Sequence, residues 1–358
     1  MITAGLIGVS GFGNTHYRDL VREHEAGRIK PLAATVINQA EEPEKCAKLR
    51  ELGVEIFDDY KAMLAKYAGK LDLVCIPTGI ALHAPMAIDV MQSGANALIE
   101  KPAAATIQEV IAMQEAEKKF GKFTAVAFQS IFTAELQDLK KEILNGVIGK
   151  ITRMVACGLE PRMFSYYNRN NWAGHLKGKH GEWVLDSPYN NAVAHQLNMM
   201  TFLAGSQFEK PALPVAVTAE LYHANRIESA DTASIAIETS EGIPLYFYIS
   251  HAAESSLRTG FKIFGTAGTI DATLALFTIE SAAGKKEIPW QRDGIEVRSR
   301  IMESMRNRIT DPAAFYCSLD IARAHTLCVN GIHESSEGIT QINPGTWRKS
   351  CRPWRATT

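Results

Sequence analysis

The sequence predicts an α/β domain built on a parallel sheet, followed by an α+β domain with an open, mostly antiparallel sheet. Two observations lead to this prediction: short apolar runs alternate with helix-like stretches as far as about residue 127, and runs of β-forming residues dominate beyond residue 149. The chain has 358 residues, which is about twice what one hydrophobic core usually holds. We therefore expect two domains, residues 1–125 and residues 126–358.

The first domain is predicted from its apolar runs and from the ends of its helices. Helices at residues 43–52 and 85–93 are each followed by a glycine, and Thr106 with Glu109 forms a capping box for a helix that stops at Gly121. The predicted strands are residues 5–9, 32–37, 54–57, 71–76, 97–99 and 124–128. Strands and helices that alternate in this way form one parallel sheet with helices on its faces.

The second domain is predicted to begin with a helix near residues 133–144 and to end with a helix at residues 312–329. The antiparallel strands between them are residues 151–157, 213–222, 231–239, 244–250 and 261–264. Basic residues interleaved with Trp347 and Trp354 end the chain. In a neutral protein they are more typical of a tail docked on its own or a neighbouring subunit than of a nucleic-acid site.

The composition excludes several classes of function. With 38 Lys and Arg against 39 Asp and Glu, no broad field steers the protein onto nucleic acid or an anionic membrane. Apolar runs stay short of the about 18 residues that a membrane span needs. Six cysteines without a CxxC pair predict reduced thiols in a cytoplasmic protein. His325 and Cys328 lack the further ligands of a metal centre, so no metal site is predicted.

A glycine-rich turn follows the first predicted strand and precedes a helix. Gly8, Ser10, Gly11, Phe12 and Gly13 lie where the amides at a helix N-terminus would face the phosphates of a dinucleotide. Ser10 stands where the usual GxGxxG motif has its second glycine. The hexad alone is equally consistent with a tight turn that binds nothing, but its place at the start of an alternating α/β domain favours the cofactor.

The choice between NAD and NADP depends on the end of the second strand. A carboxylate there selects NAD, whereas an arginine accommodates the additional phosphate of NADP. This chain has Asn38 and Gln39, which can bond a ribose hydroxyl but neither repel nor neutralise a phosphate. Both cofactors stay open, with NAD favoured because no arginine is adjacent.

Further segments carry a resemblance to a known family. Residues 72–78, followed by His83, are similar to the DxVxIxTPxxxH segment of the Gfo/Idh/MocA oxidoreductases, with Pro77 and Thr78 in reversed order. Residues 100–102 are similar to that family's EKP motif, and residues 264–270 to its GTxGxI/L strand turn. With the glycine turn, these segments extend the resemblance over nearly the whole chain, and their order and spacing make it specific.

The resemblance implies a Rossmann domain that binds NAD or NADP, followed by an α+β domain whose open sheet lines the substrate site and joins the subunits of a dimer or tetramer. It implies hydride exchange between nicotinamide and a hydroxyl-bearing carbon of a sugar, an inositol or a related polyol. It also implies that Pro77, Thr78, His83, Glu100 and Lys101 lie at the cofactor.

In such enzymes the EKP lysine lies beside the reacting hydroxyl, and a DxxxH pair supplies an acid/base histidine. Lys101 matches the lysine and His195 the histidine, but Asn191 stands at the position of the Asp. Oxidation of an alcohol requires a base for the hydroxyl proton and a cation for the developing alkoxide, roles that suit His195 and Lys101. We expect Asn191 on the same helical face as His195, where it orients either the imidazole or the substrate. Asn191 supplies no negative charge, so the imidazolium is less stabilised than beside an Asp unless Asp186 stabilises it from the preceding loop.

A polar, aromatic-rich segment is the candidate substrate wall. Tyr167, Arg169 and Trp172 offer ring faces and donors that suit a small hydroxylated ligand. Asp186 and Asn190, which precede His195, are expected to contact the same ligand. The alternative is an ordinary surface loop with buried anchors.

The sequence thus predicts an NAD(P)-dependent oxidoreductase acting on a hydroxyl-bearing carbon. Two other readings stay open. The same fold supports NAD-dependent glycoside hydrolysis, and Ser10 with Asn191 would also suit a nucleotide-binding protein that has lost turnover.

Overall fold

A computed structural model describes residues 1–291 and 293–343 of the chain. The tail around Trp347 and Trp354, for which docking is predicted, lies outside the described residues. No helix in the described ranges is both long and apolar enough to cross a membrane.

Six parallel strands form the first sheet, in the order β3-β2-β1-β4-β5-β6. Every predicted strand of the first domain is present, although the first begins at Ile2, where its pairing with β2 starts opposite Ile29. The strands are β1 (Ile2–Ile7), β2 (Ile29–Thr35), β3 (Glu55–Phe57), β4 (Leu73–Ile76), β5 (Asn96–Ile99) and β6 (Thr124–Val126). The order reverses between β1 and β4, which is where ligands bind in open α/β sheets.

Five helices connect these strands: α1 (Gly13–Glu25), α2 (Pro43–Glu51), α3 (Tyr60–Lys66), α4 (Ile80–Gln92) and α5 (Ile107–Phe120). The capping box of Thr106 and Glu109 is formed, and Gly121 ends α5 with a φ of 63°. The predicted start at Pro85 is wrong, since α4 begins at Ile80 and contains Pro85.

Within the described residues the second sheet has nine strands, in the order β14-β13-β12-β11-β7-β10-β9-β8-β15, and most neighbours are antiparallel. Its five predicted strands are confirmed, whereas β12 to β15 were not predicted. The strands are β7 (Ile151–Leu159), β8 (Pro214–His223), β9 (Thr232–Thr239), β10 (Pro244–Ser250), β11 (Leu257–Gly265), β12 (Gly268–Ala272), β13 (Leu276–Ser281), β14 (Gly284–Pro289) and β15 (Ile339–Gln341). The fold class is confirmed as a parallel α/β domain followed by a mostly antiparallel sheet.

The helices of the second half are α6 (Ala134–Leu144), α7 (Phe164–Tyr167), α8 (Ala194–Ala204), α9 (Ile295–Thr310) and α10 (Leu319–Ser335). The single helix predicted at residues 312–329 is wrong: α10 begins after Ser318, whose hydroxyl accepts from the Ile321 N–H at 3.3 Å, and α9 is separate. The expectation that Asn191 shares a helical face with His195 is also wrong, because α8 begins at Ala194.

The second sheet has one covered face and one open face. Leu245, Phe247 and Ile249 of β10 are buried on the face that α8 and α10 cover. Tyr248 and Cys157 are paired across β10 and β7 and are exposed on the other face. Oligomerisation through this sheet stays a prediction.

The last two helices return to the first sheet. The Val126 N–H donates to the Cys317 carbonyl at 2.9 Å, and Asn330 on α10 bonds the backbone of both Ala105 and Ile107 at 2.8 Å. The division of the chain at residue 125 therefore stays a prediction, and residues on α9 and α10 belong spatially to both halves.

A buried ionic network joins α9 to the first sheet and α1. Arg298 bonds the Asp19 carboxylate through Nε at 2.8 Å and the Glu100 carboxylate through Nη1 at 3.3 Å. Glu100 also contacts His16 Nε2 at 2.8 Å. Although burial opposes ionisation of Glu100, its bonds to His16 and Arg298 lower its pKa from 4.5 to about 2. This stabilisation is present above about pH 4.5 and is lost as the pH falls towards 2.

Arg298→Met should lower the free energy of unfolding by about 3–5 kcal/mol at neutral pH, because it removes the buried guanidinium from Glu100. Urea-induced unfolding followed by circular dichroism measures this loss. Arg306→Met on the same helix is the control, since its partner Glu23 keeps a second ion pair with Arg28 at 2.8 Å. Equal losses in the two variants would contradict the importance of the network.

Candidate active site

The glycine turn brings the end of β1 close to the start of α1. Gly8 and Gly11 have φ values of 94° and 54°, which glycine adopts without strain. A Cβ atom on Gly13 would lie 2.7 Å from the Gly8 carbonyl oxygen, so this position also requires glycine. No side chain caps the first turn of α1 after Phe12. The backbone here can approach a phosphate closely, and the helix dipole favours its charge.

A pocket of about 530 Å³ opens beside this turn at the carboxyl ends of the strands. The predicted residues Gly8, Ser10, Asn38, Pro77 and Thr78 all line it. The hydroxyl of Thr78 is buried and has no hydrogen-bond partner among the described residues. A pocket of this size with a glycine cradle and an unsatisfied hydroxyl fits the nucleoside and phosphate part of a dinucleotide.

The same pocket is lined by residues that the sequence reasoning missed, among them Glu41, Asp58 and Tyr60. Asn38 donates from Nδ2 to Ser10 Oγ at 3.0 Å and to Glu41 Oε2 at 2.9 Å. Glu41 follows β2 and Asp58 follows β3. A carboxylate after a predicted strand was therefore the signal in the sequence that could have identified both residues. They give the part of the pocket around Asn38 a negative charge.

Two predicted cofactor residues are buried behind the pocket-lining loops. His83 is 1% exposed, and its Nδ1 and Nε2 lie 2.9 Å and 3.2 Å from the carbonyl oxygens of Pro102 and Thr78. Burial lowers the pKa of His83. Glu100 is 7% exposed and belongs to the Arg298 network. Both side chains therefore hold the strand-end loops in position.

Lys101 is the start of a hydrogen-bonded chain that crosses to the second half of the molecule. Its Nζ donates to Asn191 at two oxygens, the carbonyl at 2.8 Å and Oδ1 at 3.0 Å. Asn191 Nδ2 donates to Asp186 Oδ1 at 3.0 Å, and Asp186 Oδ2 accepts from the Gly174 N–H at 2.7 Å. Asn191 therefore orients Lys101 rather than occupying a helical face with His195.

Burial shifts both ionisable ends of this chain towards their neutral forms. It lowers the pKa of Lys101, and Arg169 adds to that effect, while Glu100 and Asp186 oppose it. Burial raises the pKa of Asp186 against the opposing bonds from Gly174 and Asn191. Shifted titratable groups of this kind concentrate at functional sites.

His195 lies in the first turn of α8 and is partly exposed. Its ring packs edge-on against Phe128, with ring centroids 5.7 Å apart.

The opposite end of α8 is held by the buried Lys140, whose Nζ donates to the Phe202 carbonyl at 2.6 Å and also to that of Gly205. Burial lowers the pKa of Lys140 to about 7.

The candidate substrate wall is formed by aromatic rings and one stacked arginine. Arg169 donates to the Tyr166 carbonyl at 2.6 Å, and its guanidinium lies 3.6 Å from the Tyr166 ring centroid and 5.2 Å from that of Trp172. Tyr167 is 7% exposed, with its hydroxyl 3.4 Å from His251 Nδ1. Arg169 is exposed and Trp172 is half-buried, whereas the buried Tyr167 packs edge-on against Tyr166, with ring centroids 5.2 Å apart.

Asn190 supports the loop that carries Asp186. Its Nδ2 donates to the carbonyls of Val184 and Leu185 at 3.1 Å and 3.0 Å, and the side chain is 1% exposed. Leu185 has a φ of 52°, a conformation that costs a leucine about 1–3 kcal/mol. Asn190 therefore holds a strained residue directly before Asp186.

The described part of the chain contains no cluster of three His, Cys, Asp or Glu side chains able to hold a metal ion. Sequence reasoning also missed Arg298, because 198 residues separate it from Glu100 and no local pattern connects them.

Comparisons with known proteins agree with this architecture. A family model described as an oxidoreductase family with an NAD-binding Rossmann fold matches residues 2–128, and the GFO/IDH/MocA C-terminal domain matches residues 136–271. Levoglucosan dehydrogenase, solved with NADH and levoglucosan, has a TM-score of 0.76 at 20% identity over 93% of this chain and 96% of that one. At 20% identity, this structural likeness is evidence for the fold alone.

Two curated relatives match this chain over different lengths. Inositol 2-dehydrogenase/D-chiro-inositol 3-dehydrogenase of Halalkalibacterium halodurans is 23% identical over 57% of this chain and 53% of that protein, so the match spans about half of its length. Inositol 2-dehydrogenase 1 of Saccharopolyspora erythraea is 22% identical over 85% of this chain and 83% of that protein. The residues matched by the two family models include the glycine turn, Lys101 and His195. The chain belongs to the Gfo/Idh/MocA family of oxidoreductases.

Proposed function

We propose that this protein is an NAD-dependent dehydrogenase that oxidises a hydroxyl-bearing carbon of a sugar, an inositol or a related polyol. The observation that carries the proposal is the oriented ammonium of Lys101, which follows β5 beside the strand ends that line the dinucleotide pocket. The names of the inositol and levoglucosan dehydrogenases support the same substrate class.

The reaction requires a hydride acceptor and a proton acceptor. NAD, when bound, would supply the acceptor for the hydrogen of the C–H bond and its two electrons. The hydroxyl proton leaves to a base, and the carbon that has lost its hydrogen becomes the carbon of a carbonyl group. The chain itself has to orient the alcohol, stabilise negative charge on its oxygen and remove its proton.

Lys101 suits the stabilising role because two of its three N–H donors are committed to Asn191. The third N–H is then available to the substrate oxygen in a fixed direction. The partial burial of Lys101 reduces its contact with water, which would otherwise weaken this interaction. His195, partly exposed at the start of α8, is the proposed base.

Lys101→Met should lower kcat/KM by about 100- to 1,000-fold, because it removes the donor to the developing alkoxide. His195→Ala should lower it by about 100- to 10,000-fold. NADH formation is followed by its absorbance with a panel of inositols, aldoses and levoglucosan. Lys118→Met, at an exposed position on α5, is the matched control.

Failure of the purified protein to bind NADH, measured by fluorescence, would overturn the proposal. Release of an aglycone from a glycoside without net NADH formation would replace it by glycoside hydrolysis. Retained NADH binding, with the same background rate in the wild type and both variants, would indicate a binding protein without turnover.

Asp186→Asn should lower the pKa of Lys101 further, because the Asp186 carboxylate favours the ammonium form. The limb of the pH–rate profile that reports loss of the Lys101 proton should move to lower pH. Acylation of Lys101 at a fixed pH, followed by mass spectrometry, should become faster because more of the amine is neutral. Asp138→Asn on the surface of α6 serves as control. An unchanged acylation rate would show that Asp186 does not act on Lys101.

We also propose that NAD is preferred to NADP. Glu41 and Asp58 line the pocket next to Asn38, and their negative charges oppose the additional phosphate of NADP. Arg50 reaches Gln39 at 2.8 Å but does not line the pocket. The charge around Asn38 therefore supplies the discrimination that Asn38 lacks.

The double variant Glu41→Gln, Asp58→Asn should reduce the ratio of kcat/KM for NAD to that for NADP by about 5- to 30-fold, since two partly screened repulsions are lost. The difference should shrink at high salt. Glu25→Gln, exposed at the far end of α1, is the control. A wild-type preference for NADP would contradict the assignment.

A further inference from the structure

Two guanidinium groups lie close to the ring of Tyr166, in the segment of the candidate substrate wall. The centre of the Arg169 guanidinium is 3.6 Å from the Tyr166 ring centroid, and that of Arg162 is 5.2 Å away. Stacking on an aromatic face fixes the plane of a guanidinium, so its N–H donors point outwards in defined directions.

The two arginines differ in their partners. Arg162 forms an ion pair with Glu160, Nη2 to Oε2 at 3.3 Å. Arg169 donates from Nη1 to the Tyr166 carbonyl at 2.6 Å, and within residues 1–291 and 293–343 it has no carboxylate partner. Its Nε and Nη2 edge is therefore uncommitted. Two parallel donors on one edge match the two oxygens of a carboxylate.

The loop that carries Arg169 is fixed to the Lys101 chain. Asp186 bonds this loop twice, accepting from the Gly174 N–H at 2.7 Å and donating its own N–H to the His175 carbonyl at 3.0 Å. Arg169 also lies close enough to Lys101 for its charge to act on that ammonium. The charge of Asp186 favours the ammonium form of Lys101, whereas the charge of Arg169 opposes it.

His251 adds a second polar group beneath the same rings. It is 3% exposed, its ring meets that of Tyr166 edge-on at 5.9 Å, and its Nε2 has no hydrogen-bond partner among the described residues. Burial and the two arginines lower its pKa to about 3, so it is neutral at neutral pH. A buried neutral nitrogen that lacks a partner is suited to a hydroxyl group.

We propose that Arg169 binds a carboxylate of the substrate through its Nε and Nη2 edge, so that the preferred substrates are sugar acids of the uronate or aldonate class. This inference rests on the proposed dehydrogenase function and replaces the uncharged polyol by an acidic one. Lys101 receives the reacting hydroxyl, and Arg169 fixes the far end of the same molecule.

The test uses pairs of compounds that differ in one group: glucuronate with glucose, galacturonate with galactose, and gluconate with glucitol. Binding to the protein–NADH complex is measured by calorimetry, and turnover by NADH formation with NAD. The wild type should prefer the acid of a pair. Arg169→Gln should reduce this preference by about 10- to 100-fold, as expected for loss of a charged bidentate contact.

Two further variants separate charge and geometry from general damage. Arg169→Lys keeps the charge without the fork and should restore part of the preference. Arg153→Gln removes another stacked arginine, 3.9 Å from the Phe264 ring centroid on the second sheet, and should leave the preference unchanged.

Equal or weaker binding of the acids by the wild type overturns the carboxylate assignment, even when neutral polyols are oxidised and the dehydrogenase function stands. A preference for glucose 6-phosphate over glucuronate overturns it as well. Selective acid binding that depends on Arg169, in a protein that forms no NADH with any compound, supports the assignment while the proposed function fails.

Discussion

The buried guanidinium of Arg298 is the interaction on which the arrangement of the site depends. It lies between the carboxylates of Asp19 and Glu100, and Glu100 is bonded at both oxygens, because Oε1 contacts Arg298 and His16 while Oε2 accepts from the Lys101 N–H at 3.2 Å. A buried carboxylate without such partners would be costly. Lys101 directly follows Glu100. The contact that holds α9 against the first sheet therefore also fixes the backbone position from which the Lys101 side chain extends.

A chain of hydrogen bonds leads from Lys101 through the neutral side chain of Asn191 to the carboxylate of Asp186. Asn191 accepts two hydrogen bonds from Lys101, one at its carbonyl oxygen and one at Oδ1, and donates one from Nδ2 to Asp186. Asp186 in turn accepts from the Gly174 N–H in the loop that carries Arg169. An amide can do this because it both accepts and donates, whereas a carboxylate only accepts. The asparagine at the expected Asp position is thus an adapter between a cation and an anion. It keeps Asp186 apart from Lys101 without leaving either unpaired.

Local patterns predicted what local physics determines. The capping box at Thr106, the glycine turn at Gly8 and the alternating apolar runs depend on neighbours in sequence, and they appear where expected. The Rossmann part and Lys101 followed from such patterns and from the family resemblance. Arg298 and the start of α8 depend on tertiary contacts, so no sequence window contains the information. Asn190 and His83 were predicted at ligands, and the structure shows their side chains at buried backbone carbonyls, a tertiary contact that no local pattern reveals, so their contact with ligands stays a prediction.

The distance along the chain between Glu100 and Arg298, 198 residues, gives the network a place in the order of synthesis. The ribosome releases all six strands of the parallel sheet well before it makes α9. Until then Glu100 lacks the guanidinium of Arg298, and the nascent sheet carries a carboxylate that it cannot fully bury. The nucleotide-binding half therefore reaches its final stability only when translation has passed α9, which links completion of the cofactor site to completion of the polypeptide.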